Sequence, residues 1–168
     1  MALSVYSTSI PIFIHHLKSL ETILRKGEDH AISRKIDPSV LLNSRLFPDM
    51  FPLTRQVQIA SDTAKGGGAR LAGLELPKFD DSETSFAELY ARIAKTIEFL
   101  RGIKAAQLEG AETRKIQFKV GSREVSFNGA DYISSWVIPN LLFHTTTAYN
   151  ILRHNGIEIG KKDFLGEI

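Results

Sequence analysis

Four long stretches of this chain carry apolar residues at spacings of three and four, and any fold must bury all four stripes at once. Tyr6, Ile10, Phe13, Leu17, Leu20 and Leu24 share one helical face. Leu53, Val57, Ala60, Ala64 and Leu71 make a second, and Phe86, Leu89, Tyr90, Ile93, Ile97 and Leu100 a third. Ile133, Val137, Leu141, Ala148 and Ile151 make the fourth. Amphipathic helices of this length bury their stripes against one another, which predicts a mainly all-α chain built as a four-helix bundle. At 168 residues the chain is long enough for one hydrophobic core, so a single domain over residues 1–168 is expected.

The first helix is expected over residues 4–28, stopping at the charged stretch around Gly27, with a bend at Pro11, which cannot donate to the Ser7 carbonyl. The alternative is a start near Ser9 that leaves Pro11 in the first turn. Residues 31–47 are irregular, with one short helical turn after Asp37-Pro38. The second helix is expected over residues 49–72, with Asp49 as N-cap and Pro52 in the first turn. Its period survives Gly66-Gly67-Gly68, which predicts a continuous helix, although three glycines cost it about 2–3 kcal/mol relative to alanines. The alternative is a helix that ends at Lys65, followed by a glycine loop. No strand precedes these glycines and no Lys-Ser/Thr pair follows them, so a phosphate-cradling loop is excluded. Ser85 and Glu88 form a capping box for the third helix, which ends near residues 102–106. The fourth is expected over residues 130–154, with Asn155-Gly156 as its stop. The tail, residues 157–168, is read as an ordered extension or part of a partner contact.

Between helices three and four the period changes to two. Ile116, Phe118 and Val120 alternate with Gln117 and Lys119, and Val125 and Phe127 alternate with Glu124 and Ser126. A two-residue turn at Gly121-Ser122 sets Phe118 opposite Val125, Ile116 opposite Phe127 and Lys119 opposite Glu124. Three favourable pairs at one register predict a β-hairpin at about 114–127. Two strands alone are marginal, so its apolar face must lie on the helices.

Composition narrows function by exclusion. Net charge is +2, and the basic residues fall in scattered doublets without interleaved aromatics, so a nucleic-acid surface is not expected. There is no cysteine, which removes disulfides, a thiolate nucleophile and thiolate metal ligands together. The first residues lack the pattern of a signal peptide, and no apolar run approaches the roughly 20 residues that cross a bilayer. No membrane association is expected, and a cytoplasmic location is.

Polar residues on apolar faces mark the candidate site. Asn140 and His144 lie one turn apart, in the same narrow sector of helix four as Ile133, Val137 and Ile151. Both are expected to point into the bundle and to be partnered, because an unpaired buried polar group costs about 1–3 kcal/mol. Pro139 leaves the Ser135 carbonyl free, and a kink there can open a cavity. Histidine titrates near neutrality, which suits it to proton transfer or metal binding. A core histidine satisfied by a hydroxyl or carbonyl is the plainer reading. His16, at the edge of the helix-one stripe, and Tyr149, Asp62 and Gln58 are the weaker candidates. For Asp62 the plainer reading is an exposed acid paired with Lys65. No recognisable hydrolase or metalloprotease motif is present, and the position one turn after His144 is Ala148, which cannot coordinate.

Several runs resemble a known group. They are Arg45-Leu46-Phe47-Pro48-Asp49-Met50-Phe51-Pro52-Leu53, Gln56-Val57-Gln58 with Asp62-Thr63-Ala64-Lys65, Phe143-His144-Thr145-Thr146-Thr147-Ala148-Tyr149, and Leu152-Arg153-His154-Asn155-Gly156. With them the chain resembles a bacterial domain-of-unknown-function family within the DinB/YfiT-like four-helix-bundle superfamily. The resemblance implies a bundle that is often dimeric. It also implies, for better-known members, a divalent metal held by one histidine on helix two and two on helix four. Some of those members are thiol-dependent transferases or isomerases. This chain departs from that pattern, because only His144 stands where a helix-four ligand would, Ala148 takes the usual partner position, and residues 49–72 contain no histidine.

The expected function is therefore small-molecule binding in an inter-helical polar pocket at His144, with Asn140, Tyr149, Asp62, Gln58 and His16 around it and His144 as the candidate catalytic group. No cofactor and no metal site are expected, and the expected partners are a second copy of the chain and a small-molecule ligand. The alternatives are a non-catalytic dimeric scaffold that has lost the superfamily metal site and a metal-dependent thiol transferase or isomerase.

Overall fold

A computed structural model describes residues 4–166. Helix α1 spans Ile10–Arg34, with Ser9 before it and Pro11 in its first turn. The expected range of 4–28 is therefore displaced at both ends. At the start, Pro11 sits where its missing N–H would have no intrahelical partner in any case. At the other end Gly27 does not stop the helix. It is buried, and a Cβ there would come within 2.9 Å of Leu152 Cδ2, so the glycine is a point of close approach. The helix ends at Lys35, which adopts the left-handed conformation at φ 55°.

A short helix, α2 (Pro38–Leu42), is capped by Asp37, whose carboxylate accepts from the Ser39 N–H. Helix α3 (Leu53–Ala72) begins after Pro52. Asp49 does not cap it. It lies inside a turn closed by Met50 N–H donating to the Phe47 carbonyl. The helix runs unbroken through the three glycines, and neighbours occupy the space that side chains there would need. A Cβ on Gly67 would stand 2.7 Å from Val137 and 3.1 Å from Phe13, and one on Gly68 would stand 2.6 Å from Leu100 and 2.9 Å from Ile103. Helix α4 (Phe86–Gly102) starts at the expected capping box, with both reciprocal bonds of Ser85 and Glu88 formed.

Strands β1 (Ile116–Val120) and β2 (Arg123–Phe127) pair antiparallel in the expected register, Phe118 with Val125 and Ile116 with Phe127. The hairpin is pinned by an aromatic cluster. Phe118 meets Tyr132 at 5.7 Å and Trp136 at 5.4 Å between ring centroids, and the Arg70 guanidinium lies 4.5 Å above the Phe118 ring.

The fourth helix is not regular from the start. A single turn, α5 (Gly129–Asp131), runs into a π-helical turn at Tyr132–Val137 and then into α6 (Ile138–His154). Pro139 follows this turn, and widening the backbone there accommodates a residue that cannot join the ladder. After α6 the tail turns back. Ile157 and Ile159 are buried, and α7 (Lys161–Leu165) packs on α1. The long helices α1, α3, α4 and α6 enclose the core, α3 lying mainly against α6 and α4, and α1 against the same two. Among the described residues no helix is long and apolar enough to cross a membrane.

Candidate functional site

His144 meets α3 through Gln56. Its Nδ1 lies 2.7 Å from Gln56 Oε1, and Gln56 Nε2 donates to the Phe51 carbonyl at 2.9 Å. This chain of bonds fixes the protons. A carbonyl can only accept, so the Gln56 atom facing Phe51 is the amide NH₂ and the atom facing His144 is the oxygen. His144 Nδ1 therefore carries the proton and donates, which leaves the lone pair on Nε2. Among the described residues Nε2 bonds to no protein atom, yet it is not sealed from solvent. The ring is half-buried, and burial, reinforced by the positive charge of Arg55, pushes its pKa from 6.5 down to about 4. At neutral pH His144 is thus a neutral imidazole in one tautomer with one acceptor nitrogen open to a ligand.

That state has a measurable consequence. Between pH 6.5 and about 4 the unfolded chain protonates this histidine while the folded chain does not. Stability should therefore fall as pH drops through that window. An NMR titration should find His144 still neutral at pH 5, and the slope of unfolding free energy against pH should be shallower there in His144→Gln. A midpoint near 6.5 for this ring would contradict the assignment.

The other candidates fall elsewhere. Asn140 Nδ2 donates to the Trp136 carbonyl at 2.7 Å, satisfying an acceptor of the π-helical turn instead of reaching His144. Tyr149 donates to the Ile159 carbonyl at 3.4 Å and meets Phe164 edge-on, so it ties the tail to α6. His16 is half-buried beside His15 and Phe164. Its Nδ1 is buried and, among the described residues, without a partner, and burial, with His15 adding to it, lowers its pKa. A cleft of about 560 Å³ opens between α1 and α7 on the side of His15, lined by His15, Lys18 and Lys162 among others.

Gln58 and Asp62 belong to a cluster of charges between α3 and α4. Two residues beyond Gln56, Gln58 points about 200° away around the helix. Its Nε2 donates to Glu83 and its Oε1 accepts from Arg55. Asp62 accepts from Lys65 at 2.8 Å and from Arg92 at 2.9 Å. Arg92 is the centre. Its side chain is 1% exposed, it also binds Glu83 at 2.8 Å and Asp81 at 3.0 Å, and Arg55 pairs with Asp81. Burial alone would lower the Arg92 pKa, but Glu83, Asp62 and Asp81 outweigh it and raise the value. Burial likewise opposes the charge on Asp81, and the two arginines overcome it and hold the carboxyl below its ordinary range.

Sequence periodicity pointed to neither Gln56 nor Arg92, although each left a trace. Gln56 lies three residues after Leu53 and four before Ala60, and Arg92 three after Leu89 and four before Thr96. A polar residue at core spacing is that trace.

The superfamily's three-histidine centre does not fit these residues. Ala148 follows His144 by one turn, Gln56 is the side chain α3 offers it, and among the described residues no group of three His, Cys, Asp or Glu side chains is arranged to hold a metal ion. The helical frame with its late hairpin defines a DinB-like bundle. It matches the crystal structure of a DinB family member protein from Shewanella denitrificans, with a TM-score of 0.88 and 48% sequence identity over 97% of this chain and 92% of that one. The model of a domain-of-unknown-function family (DUF1993) matches residues 5–165, and the chain belongs to that family. No curated protein matches it.

Proposed function

We propose that the protein binds a small molecule where α3 and α6 meet, with His144 Nε2 as the polar anchor. The observation behind this is the directed chain Phe51–Gln56–His144, which holds one nitrogen as an acceptor in a partly desolvated setting. Such a nitrogen selects a ligand that donates an N–H or O–H. With a pKa of about 4 it is a weak base at neutral pH, so it orients a ligand better than it removes a proton. Phe143 is exposed and edge-on to the imidazole at 5.2 Å, and offers apolar contact; Phe51, whose carbonyl takes the Gln56 amide, is exposed as well. Fragments bearing a donor group should shift the His144 ring resonances and raise the melting temperature. The effect should vanish in His144→Ala and weaken in Gln56→Leu, which releases the tautomer. If a donor-rich fragment set leaves those resonances unmoved, the proposal fails.

A non-catalytic dimeric scaffold is the second possibility, favoured by the exposed Phe47, Phe51 and Phe143. A dimer in sedimentation analysis that is lost in Phe51→Ser/Phe143→Ser, without any fragment binding, would support it instead.

A further inference from the structure

Residues 75–84 cross α3 and α4 without regular secondary structure, and among the described residues none of their main-chain groups bonds to another main-chain group. Side chains hold the segment in place, and they do so at alternate positions. Phe79, Asp81 and Glu83 face the helices, as every second residue of an extended chain must. The Phe79 ring lies 3.8 Å from Lys65 Nζ and 4.3 Å from Lys95 Nζ, with the Arg92 guanidinium 5.7 Å away. Asp81 takes Arg55 and Arg92, and Glu83 takes Arg92 and Gln58. Clefts of about 300 and 450 Å³ flank Phe79 on its two sides.

The helix surface underneath is cationic. Without the segment, Arg55, Lys65, Arg92 and Lys95 would face one carboxylate on α3, Asp62, with Glu88 and Glu98 at the rim. The Glu88 carboxylate is already committed to the Thr84 and Ser85 cap.

We propose that residues 77–83 are an autoinhibitory strap, a built-in acidic ligand on a cationic groove of α3 and α4, and that the open groove takes an acidic peptide segment bearing an aromatic residue. The strap itself shows the recognition pattern: a ring between two ammonium groups, then carboxylates two and four residues later. Its contacts are ion pairs, cation–π contacts and two hydrogen bonds from helix side chains, Gln58 to Glu83 and Arg92 to the Asp80 carbonyl, so the strap can lift without breaking a backbone ladder. A tethered segment competes at an effective concentration on the order of millimolar, so the intact protein should not bind such a peptide at micromolar levels.

Two variants test this, Asp81→Asn/Glu83→Gln and Phe79→Ala. The first removes the strap's charges. The second keeps them and deletes only the ring, which provides a measurement if the first does not fold. Chymotrypsin should cut the double variant after Phe79 at least about tenfold faster than the native chain. Trypsin should cut Phe79→Ala after Lys78 faster by a similar factor, with circular dichroism unchanged in both. Raising salt from 0.1 to 1 M, which shortens the screening length from about 10 Å to about 3 Å, should speed cleavage of the native chain as well. A fluorescent peptide with the sequence of residues 77–85 should bind the double variant at least about tenfold more tightly than the native protein. Unchanged cleavage in both variants, or a folded double variant that takes up the peptide no better than the native chain, would overturn the proposal.

Discussion

Gly129→Ala is expected to be among the most damaging single-methyl changes in this protein, lowering stability by about 3 kcal/mol or more. The position needs no unusual backbone angle. It needs the absence of a Cβ. An added carbon would overlap the Ala111 carbonyl oxygen and lie 2.9 Å from its carbon and 3.5 Å from Glu112 Cα. All three obstacles are main chain, so no side-chain rotation relieves them. The 3₁₀ turn Ala111–Thr113 and the start of the fourth helix would have to separate, and the hairpin hangs between them. In a chain of this size each kcal/mol moves the melting temperature by roughly 2–4 °C, so a drop near 10 °C should be seen by calorimetry. Gly102→Ala is the control. Among the described residues nothing lies within 4 Å of a Cβ there, and the change should be neutral or slightly stabilising. If the two substitutions behaved alike, close approach would not be the reason for Gly129.

Arg92→Ala should cost a similar amount by a different route. The side chain is almost fully buried, and its guanidinium satisfies Glu83, Asp81, Asp62 and the Asp80 carbonyl together. Removing one member of a buried ion cluster leaves its partners uncompensated, which typically costs 3–5 kcal/mol. The lower end is expected here, about 3 kcal/mol, because Asp62 and Asp81 are 40% and 38% exposed and water can replace part of the lost contact. Glu83, at 11% exposed, has no such recourse. Arg92→Lys should not rescue the loss, since one ammonium cannot reproduce the planar fork that reaches three carboxylates. Urea unfolding of both variants measures this. A loss below 1 kcal/mol in Arg92→Ala would show the cluster to be a solvated surface network.

Local signals were legible wherever the deciding contacts are close in sequence. The capping box at Ser85 and Glu88, the hairpin register and the continuity of α3 through its glycines depend on neighbours within one turn or one strand pair. Where a distant element decides, local rules misled. Gly27 looks like a stop but is a seat for Leu152 of α6; at Asp49 a competing local signal won, the turn that Met50 closes before Pro52. The site divides the same way. An imidazole on an apolar stripe was visible at His144. Which residues would surround it was not, because Gln58, Asp62, Asn140 and Tyr149 each found other partners.

The order of amphipathic stripes and the one change of period determined by themselves that this chain forms four long helices and a late hairpin, since burial of apolar surface acts on each segment through its own periodicity. Tertiary packing alone decided which proton His144 carries and why the glycines are required. It also gathered Arg92 and its carboxylates under one strap. Those outcomes depend on atoms far apart in the chain brought within hydrogen-bonding or van der Waals distance, and no spacing along a single helix encodes the partner on another.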